Sequence, residues 1–461
     1  MSKLSLLDLG FFVAETQASP KHVAGLLICR RPPKSTPAFA KNLYKEYLTF
    51  TDVKAPFNQC IDFSLKPLPD WKTVDVDLSQ HIFFHTLPKD NCDRKGLYAF
   101  VSTLHTPMLN RSRPLWEMHV IDGMDDGRFA IYQRMHHAYA DGVTMSSWMA
   151  DSFAATADDL ELLPIWTLAR GRHASRRAKL NQELLSKVWR ELTGNSRRFL
   201  GVGRLAAMLF LESVRLTKNA IALPFVSSAK TPLTGQVTAG RQFASASVSM
   251  KRIDVIRKQT RSTLNHIALT CVDGALRRYL NDLGVELRRP ITIQMPVNLR
   301  KSGETSLGNK LGIIQVELSP PTDDPYVRLR NIGYSLRNVR TMVDSVAPEA
   351  IESYTVITNL VAQIAESLRL SNHMPPMGNT LVSNVPGPKD HLYIKGACLE
   401  EMHPISTLPP SNLLNITLFS YGGELFFGFI ATDELPDLET LAQYVSEAFD
   451  ELEHTILRRP A

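Results

Sequence analysis

The stretch PLWEMHVIDGMDDGRFAIYQRMHH, Pro114 to His137, constrains the fold more than any other part of this chain. Two alternating runs, Leu115–Ile121 and Arg128–His136, flank the turn-forming DGMDDG, and this pattern predicts an antiparallel hairpin. Alternation puts Phe129, Ile131, Gln133, Met135 and His137 on one face and Arg128, Ala130, Tyr132, Arg134 and His136 on the other, with the strand ending at His137. Pairing the arms symmetrically about the turn sets Trp116 opposite Gln133, on the face of His137. RPLW and HHAYADG should therefore meet in space.

A sheet of this kind needs layers to cover it, and the rest of the chain supplies them. VAGLLIC (Val23–Cys29) reads as a buried strand. STPAFAKNLYKEYLTF reads as a helix capped by Ser35 or Thr36, with Pro37 near its first position and Phe39, Leu43 and Tyr47 on one face. Beyond residue 240, TLNHIALTCVDGALRRYLNDLG reads as a helix ending near Gly284. PITIQMPVNLR is a strand that stops at Pro296, and LVSNVPGP is a strand running into a turn. NITLFSYGGELFFGFIATD is a hairpin about Gly422-Gly423. The last helix should bury Leu438, Leu441, Val445, Phe449, Leu452 and Ile456.

At 461 residues the chain exceeds one ordinary core. Charge marks the division: residues 167–230 hold 13 Lys or Arg against 3 acids, and the remainder holds 39 against 43. The expected organisation is a mixed α/β domain over 1–165, a basic amphipathic helical connection over 166–230, and a second mixed α/β domain over 231–461. Hydrophobic residues at 44% and charged residues at 21% suit a globular protein. No apolar run reaches the roughly 18 residues of a membrane span. Asp8 and Glu15 interrupt the N-terminal apolar stretch, so no secretory leader is expected. Five scattered cysteines (Cys29, Cys60, Cys92, Cys271, Cys398) with no C-x-x-C pair point to a reduced cytoplasmic setting and away from zinc.

The chemistry centres on RMHHAYADGVTM, Arg134 to Met145. A histidine at a strand end is suited to general-base work near neutral pH. Asp141, four residues after His137, could cap the following helix, pair with an arginine, or touch His137 as in a hydrolase triad. No G-x-S-x-G nucleophile elbow accompanies it. A base without its own nucleophile suggests direct transfer, in which an acceptor hydroxyl loses its proton and attacks an activated acyl group. Adjacent strand histidines point apart and no further ligand cluster completes a metal site, so no metal is expected. The plain alternative is two histidines satisfied in a polar turn.

HHAYADG is the H-H-x-x-x-D-G signature, and it resembles that of the chloramphenicol acetyltransferase-like acyltransferases. RSRPLWEMHVIDG, MPVNLR, LGNKLG, TLVSNVPGP and NITLFSYGGELFFG follow in the order found in bacterial wax ester synthase/diacylglycerol acyltransferases, so the resemblance covers nearly the whole chain. KHVAGLL is similar to that family's M-H-V-G-G, with Lys21 and Ala24 as departures, and NHIALTC carries His266 where the family has Asp. The resemblance implies an α/β fold of two like domains around a shared tunnel, acyl-CoA entering from one side and a lipid alcohol from the other. It implies His137 as the base, His136 and Asp141 as holders of the loop, and Gly142 as room for substrate. Asp141 would pair with an arginine, Arg113 and Arg300 being the candidates. Pro114 and Trp116 would line the tunnel, with plain core as the alternative for both. Gln294, Asn298, Ser383 and Asn384 are candidates for the oxyanion donor, with turn chemistry the plain alternative for the two asparagines.

The function so implied is long-chain acyl transfer from acyl-CoA, as co-substrate and with no further cofactor, to a fatty alcohol or a diacylglycerol. The basic connection would dock on an anionic membrane or on lipid inclusions. Two other classes compete: a condensation domain using carrier-bound acyl groups, which shares the signature, and a non-catalytic scaffold of the same fold, whose expected mark would be a lost base or aspartate, whereas both are present here.

Overall fold

The computed structural model describes residues 11–12, 15–62, 70–140, 142–168, 225, 228–298, 311–346 and 348–458. Numbered along the chain, the strands of the first half are β1 (His22–Arg30), β2 (Gln59–Asp62), β3 (Asp70–Thr73), β4 (Ile82–Thr86), β5 (Trp116–Asp122) and β6 (Arg128–His136). Those of the second half are β7 (Gln242–Ser249), β8 (Thr292–Asn298), β9 (Leu311–Glu317), β10 (Thr380–Pro386), β11 (Leu392–Ile394), β12 (Ala397–Ile405), β13 (Leu414–Tyr421) and β14 (Glu424–Ala431). The helices are α1 (Phe39–Tyr47), α2 (Arg94–His105), α3 (Gly142–Ala150), α4 (Met250–Thr260), α5 (Leu264–Asp282), α6 (Pro325–Ser345), α7 (Pro348–Ser367) and α8 (Leu438–Leu457).

The expected hairpin forms two residues out of the symmetric register. Trp116 lies opposite Met135, and Gln133 opposite Met118. A shift of two leaves every side chain on its expected face, because the side-chain period is two. The turn is lopsided for a visible reason. Asp122 pairs with Thr86 of β4 and bonds Arg31 and the Gly123 amide, while the first residues of β6 pair with β1. The ladder ends at His136 rather than His137. The His136 amide donates to Leu115 O (2.9 Å), and the next amide donates to Lys21 O on the opposite neighbour (2.8 Å).

The first sheet runs β11-β12-β1-β6-β5-β4, and the second runs β7-β14-β13-β10-β8-β9. The expected division of the chain therefore does not yield two self-contained sheets. Residues 392–405 belong to the second half by position, yet β12 pairs antiparallel with β1 from Ala24↔Ile405 to Arg30↔Cys398. The crossing is close: a β-carbon on Gly428 of β14 would fall 1.9 Å from Pro404 O of β12, so only glycine fits there. Trp166 opens the expected connection, and Leu233 lies three residues past its end. Trp166 is fully buried in the first core, and Leu233 in the second. Residues 169–224, and with them nearly all of the basic segment, lie outside the described residues.

Other expectations divide. The Gly422–Gly423 hairpin forms with Tyr421 opposite Glu424, and α8 buries all six of its expected residues. Each such leucine or phenylalanine contributes about 1.5–3 kcal/mol of burial. Helix α1 starts later than expected, at Phe39, with Ala38 as its N-cap and no side-chain cap. Strand β8 does not stop at Pro296. It continues to Asn298 opposite Leu311, because Pro296 falls beyond the last β8–β10 pair, where only β9 remains as a partner.

Candidate active site

The two histidines are held differently. His136 has no exposed surface. Its Nδ1 accepts from the Ala138 amide at 3.1 Å, its Nε2 lies 3.6 Å from Glu15 Oε2, and Phe12 stacks on its ring at 4.2 Å and 13°. Glu15 is in turn fully engaged. Oε1 accepts from the Lys21 amide (3.0 Å), and Oε2 from Arg111 Nε (3.1 Å) and Nη2 (2.9 Å). Burial pushes the Glu15 carboxyl up, but His136, the Lys21 amide and Arg111 outweigh it and hold the group at about 2.

His137 is half-buried in the turn after β6, its backbone tied to Lys21 and its ring stacked on Phe11 at 4.3 Å and 20°. Because the ladder stops one residue earlier, strand alternation does not govern this ring, contrary to expectation. The loop is pinned by Tyr139, whose amide donates to His136 O (2.9 Å). Its hydroxyl accepts from the Leu115 amide (2.8 Å) and donates to Gln59 O. RPLW and HHAYADG thus meet, as the hairpin predicted. Asp141 lies outside the described residues.

Gly142 opens α3 against the second sheet. A β-carbon there would stand 3.2 Å from Val385 Cγ2 of β10. Among the described residues, Val385 Cγ2 is the one heavy atom within 4 Å of that position outside Gly142, its chain neighbours and its own helix backbone. On the Val385 face of β10, Ser383 Oγ donates to Thr417 Oγ1 of β13 at 3.0 Å, and Thr417 is buried.

Several expected binding residues are placed elsewhere. Trp116 is a core residue with no exposed surface. It is stacked on His81 (4.5 Å) and Trp166 (5.2 Å), with Nε1 donating to Phe57 O (2.8 Å). Pro114 is buried beside it, its carbonyl accepting from the Trp116 amide at 3.0 Å. Gln294 is fully enclosed, its Nε2 donating to Asn412 Oδ1 at 2.5 Å. It pairs with Leu381, four residues before Val385, which puts it about 13 Å along the strand from the Gly142 contact. Asn384 alternates onto the other face and donates to Asn265 Oδ1 of α5 at 2.6 Å. His266 completes the N-terminal capping box of α5: it exchanges bonds with Thr263, so the departure from Asp is accommodated as a cap. Arg113 donates to Glu117 Oε1 at 2.9 Å, while Arg300 and the side chain of Asn298 lie outside the described residues.

Glu15, Arg111, Phe11, Phe12 and Thr417 were not singled out from sequence. Glu15 had one signal available, as one of two acids, with Asp8, that interrupt the apolar N-terminal run. Among the described residues no group of three or more His, Cys, Asp or Glu could hold a metal, and no helix is long and apolar enough to cross a membrane.

Two mixed sheets meeting where an H-H-x-x-x-D-G loop abuts the second sheet define an acyltransferase of the chloramphenicol acetyltransferase-like fold. Residues 4–268 match the wax ester synthase/diacylglycerol acyltransferase catalytic domain, and residues 307–453 match the C-terminal domain of the same family. The chain belongs to the wax ester synthase/diacylglycerol acyltransferase family and is an acyl-CoA-dependent acyltransferase acting on acceptor lipids. It is 29% identical to a probable diacylglycerol O-acyltransferase of Mycobacterium tuberculosis, over 97% of this chain and 98% of that one. It is 30% identical to a putative diacylglycerol O-acyltransferase of the same species, over 98% and 97%. Among solved structures it is similar to the wax ester synthase/diacylglycerol acyltransferase from Marinobacter aquaeolei VT8, with a TM-score of 0.77, 25% identity, and coverage of 99% and 100%. The first condensation domain of the calcium-dependent antibiotic synthetase shares the fold at a TM-score of 0.57 and 12% identity, over 100% of this chain and 97% of that one.

Proposed function

We propose that His137 is the general base of long-chain acyl transfer from acyl-CoA to a fatty alcohol or a diacylglycerol, with no cofactor beyond the co-substrate. The imidazole takes the proton of the acceptor hydroxyl as its oxygen bonds to the thioester carbonyl carbon. The tetrahedral intermediate then collapses with cleavage of the C–S bond. The imidazolium returns the proton to the departing thiolate, leaving an ester and free coenzyme A. Thr417, whose hydroxyl lies 3.0 Å from Ser383 Oγ, is the candidate hydroxyl donor to the oxyanion. Asp141 holds the loop rather than carrying a proton.

The observation that carries this reading is the contrast between the two histidines. His136 is sealed, one ring nitrogen accepting a backbone amide and the other facing Glu15, whereas His137 is half-buried at the strand end. His137→Ala should lose roughly 100- to 10,000-fold in turnover, the range for a positioned base. His136→Ala should lose less activity and more melting temperature. Activity in His137→Ala within tenfold of wild type sinks the assignment. Labelled palmitoyl-CoA offered with hexadecanol, a diacylglycerol or an amine reads the acceptor class.

The same reading includes peripheral docking through the basic segment 166–230, whose 167–230 portion carries 13 basic residues against 3 acids. Its substrates collect at bilayers, and each basic residue near an anionic surface contributes about 1 kcal/mol, screened by salt. Wild type should bind anionic vesicles in low salt and release in high salt. Replacing Arg172, Arg176, Arg177, Lys179, Arg197 and Arg198 by Gln should abolish binding but not activity on detergent-dispersed substrate. Equal binding by both proteins leaves the segment as a linker.

A further inference from the structure

Two consecutive aromatic residues lie flat on two consecutive histidines. Phe11 covers His137 at 4.3 Å and 20°, and Phe12 covers His136 at 4.2 Å and 13°. The pair is braced from behind. Arg111 donates to Phe12 O at 3.1 Å and sets its guanidinium 5.9 Å from the Phe12 centroid, while also binding Glu15. A ring stacked on an imidazole face leaves the nitrogen-bearing edge open to partners in the plane. It also blocks rotation of the imidazole out of that plane.

We infer that Phe11 is a positioning residue for acyl transfer, fixing the plane of the His137 ring and stabilising the charge that ring acquires on taking the acceptor proton. The inference rests on His137 being the base. Before the proton moves, the two rings attract only by dispersion and shape. Afterwards an imidazolium faces the negative π-surface of the phenyl ring, and the attraction gains an electrostatic part. That gain exists in the transition state and not in the bound ground state, so it raises turnover without tightening substrate binding. Leucine fills similar space but has no quadrupole, and tyrosine keeps both the ring and its face. Phe12 faces a histidine that does not carry the reacting proton, so the same substitution there should leave the chemical step unchanged.

The test compares Phe11→Leu and Phe11→Tyr with wild type and with His137→Gln, using palmitoyl-CoA and hexadecanol and following coenzyme A release. Phe11→Leu should lose roughly 3- to 30-fold in kcat, the span for a cation over an aromatic face from exposed to desolvated settings. KM for both substrates should stay within about twofold, and thermal melting should be little changed. Phe11→Tyr should recover most of the turnover. Wild-type kcat in Phe11→Leu overturns the inference, as does a loss that appears in KM or that Phe11→Tyr fails to recover. An inactive His137→Gln beside a fully active Phe11→Leu discards the stacking role alone. An active His137→Gln discards the base assignment, and with it this inference.

Discussion

A β-carbon on Gly142 would stand 3.2 Å from Val385 Cγ2, so the last residue of the H-H-x-x-x-D-G motif is the point where the first half's helix touches the second half's sheet. At that separation the neighbour must give way by a few tenths of an ångström. Gly142→Ala should therefore lower both turnover and melting temperature, and Val385→Ala in the same chain should restore part of both. A double-mutant cycle in melting and kcat measures the coupling, on the order of 0.5–3 kcal/mol for residues in contact. Strict additivity would assign the glycine to substrate room after all.

Glu15 is the buried anion that serves the motif from outside it. Its folded-state carboxyl sits at about 2 against an ordinary 4.5. The unfolded chain therefore binds the extra proton, and the stabilisation is complete above pH 4.5 and lost as pH falls through about 2. A shift of that size corresponds to about 3 kcal/mol. Glu15→Gln keeps an acceptor for the Lys21 amide but loses the charge, so it should unfold at lower urea than wild type at pH 7. The gap should narrow steadily between pH 4.5 and pH 3. A constant gap would contradict the linkage.

His22 and His105 should make the protein sensitive to mild acid. Their rings meet edge to face at 4.4 Å, His22 Nε2 lies 2.8 Å from His105 O, and both side chains are buried. Burial, with His105 acting on His22 and Arg134 on both, pushes each imidazole well below its ordinary 6.5. The unfolded state binds the protons first. Stability is complete above pH 6.5 and falls as pH drops below it, by up to about 1.4 kcal/mol per pH unit for each histidine. Urea midpoints from pH 7.5 to 5.5 should decline, and His105→Gln should flatten the slope. A level wild-type profile would refute the prediction without any variant.

Trp116 should behave as core. Trp116→Phe leaves Phe57 O without its indole donor and should cost about 1–3 kcal/mol. Trp116→Ala should cost about 3–5 kcal/mol and show mainly as lost soluble protein. Neither should change chain-length preference among acyl-CoA donors in the material that folds. A shifted preference in Trp116→Phe would return the residue to the substrate wall.

What was legible in the sequence was local. Side-chain period set the faces of β5 and β6 and the buried stripe of α8, and the paired glycines set one hairpin turn. The motif located His137. What escaped was partnership over distance. Nothing in Ala397–Ile405 says that it will pair with β1, because alternation specifies a face and not a neighbour. Glu15 and His136 are joined across the length of the first half by contacts that no window of sequence contains. The polar candidates failed for a related reason. Gln294 and Asn384 sit in recognisable motifs, but Gln294, paired with Leu381, shares the Val385 face about 13 Å along the strand, Asn384 alternates off that face, and Ser383 lies on it two residues from Val385.

The return of β12 to the first sheet also bears on how a cell makes this protein. When β1 and β6 have left the ribosome, one side of β1 has no partner, and its strand complement is complete only at Ile405, well over two hundred residues after His136. At about 5–20 residues per second, that interval is roughly 13–54 s. Throughout it the nascent chain presents an apolar strand with unpaired amides, the arrangement that templates aggregation. The protein is therefore a predicted client of chaperones acting during translation, and a chain truncated before Ile405 is predicted to accumulate as insoluble fragments rather than as a free-standing N-terminal domain.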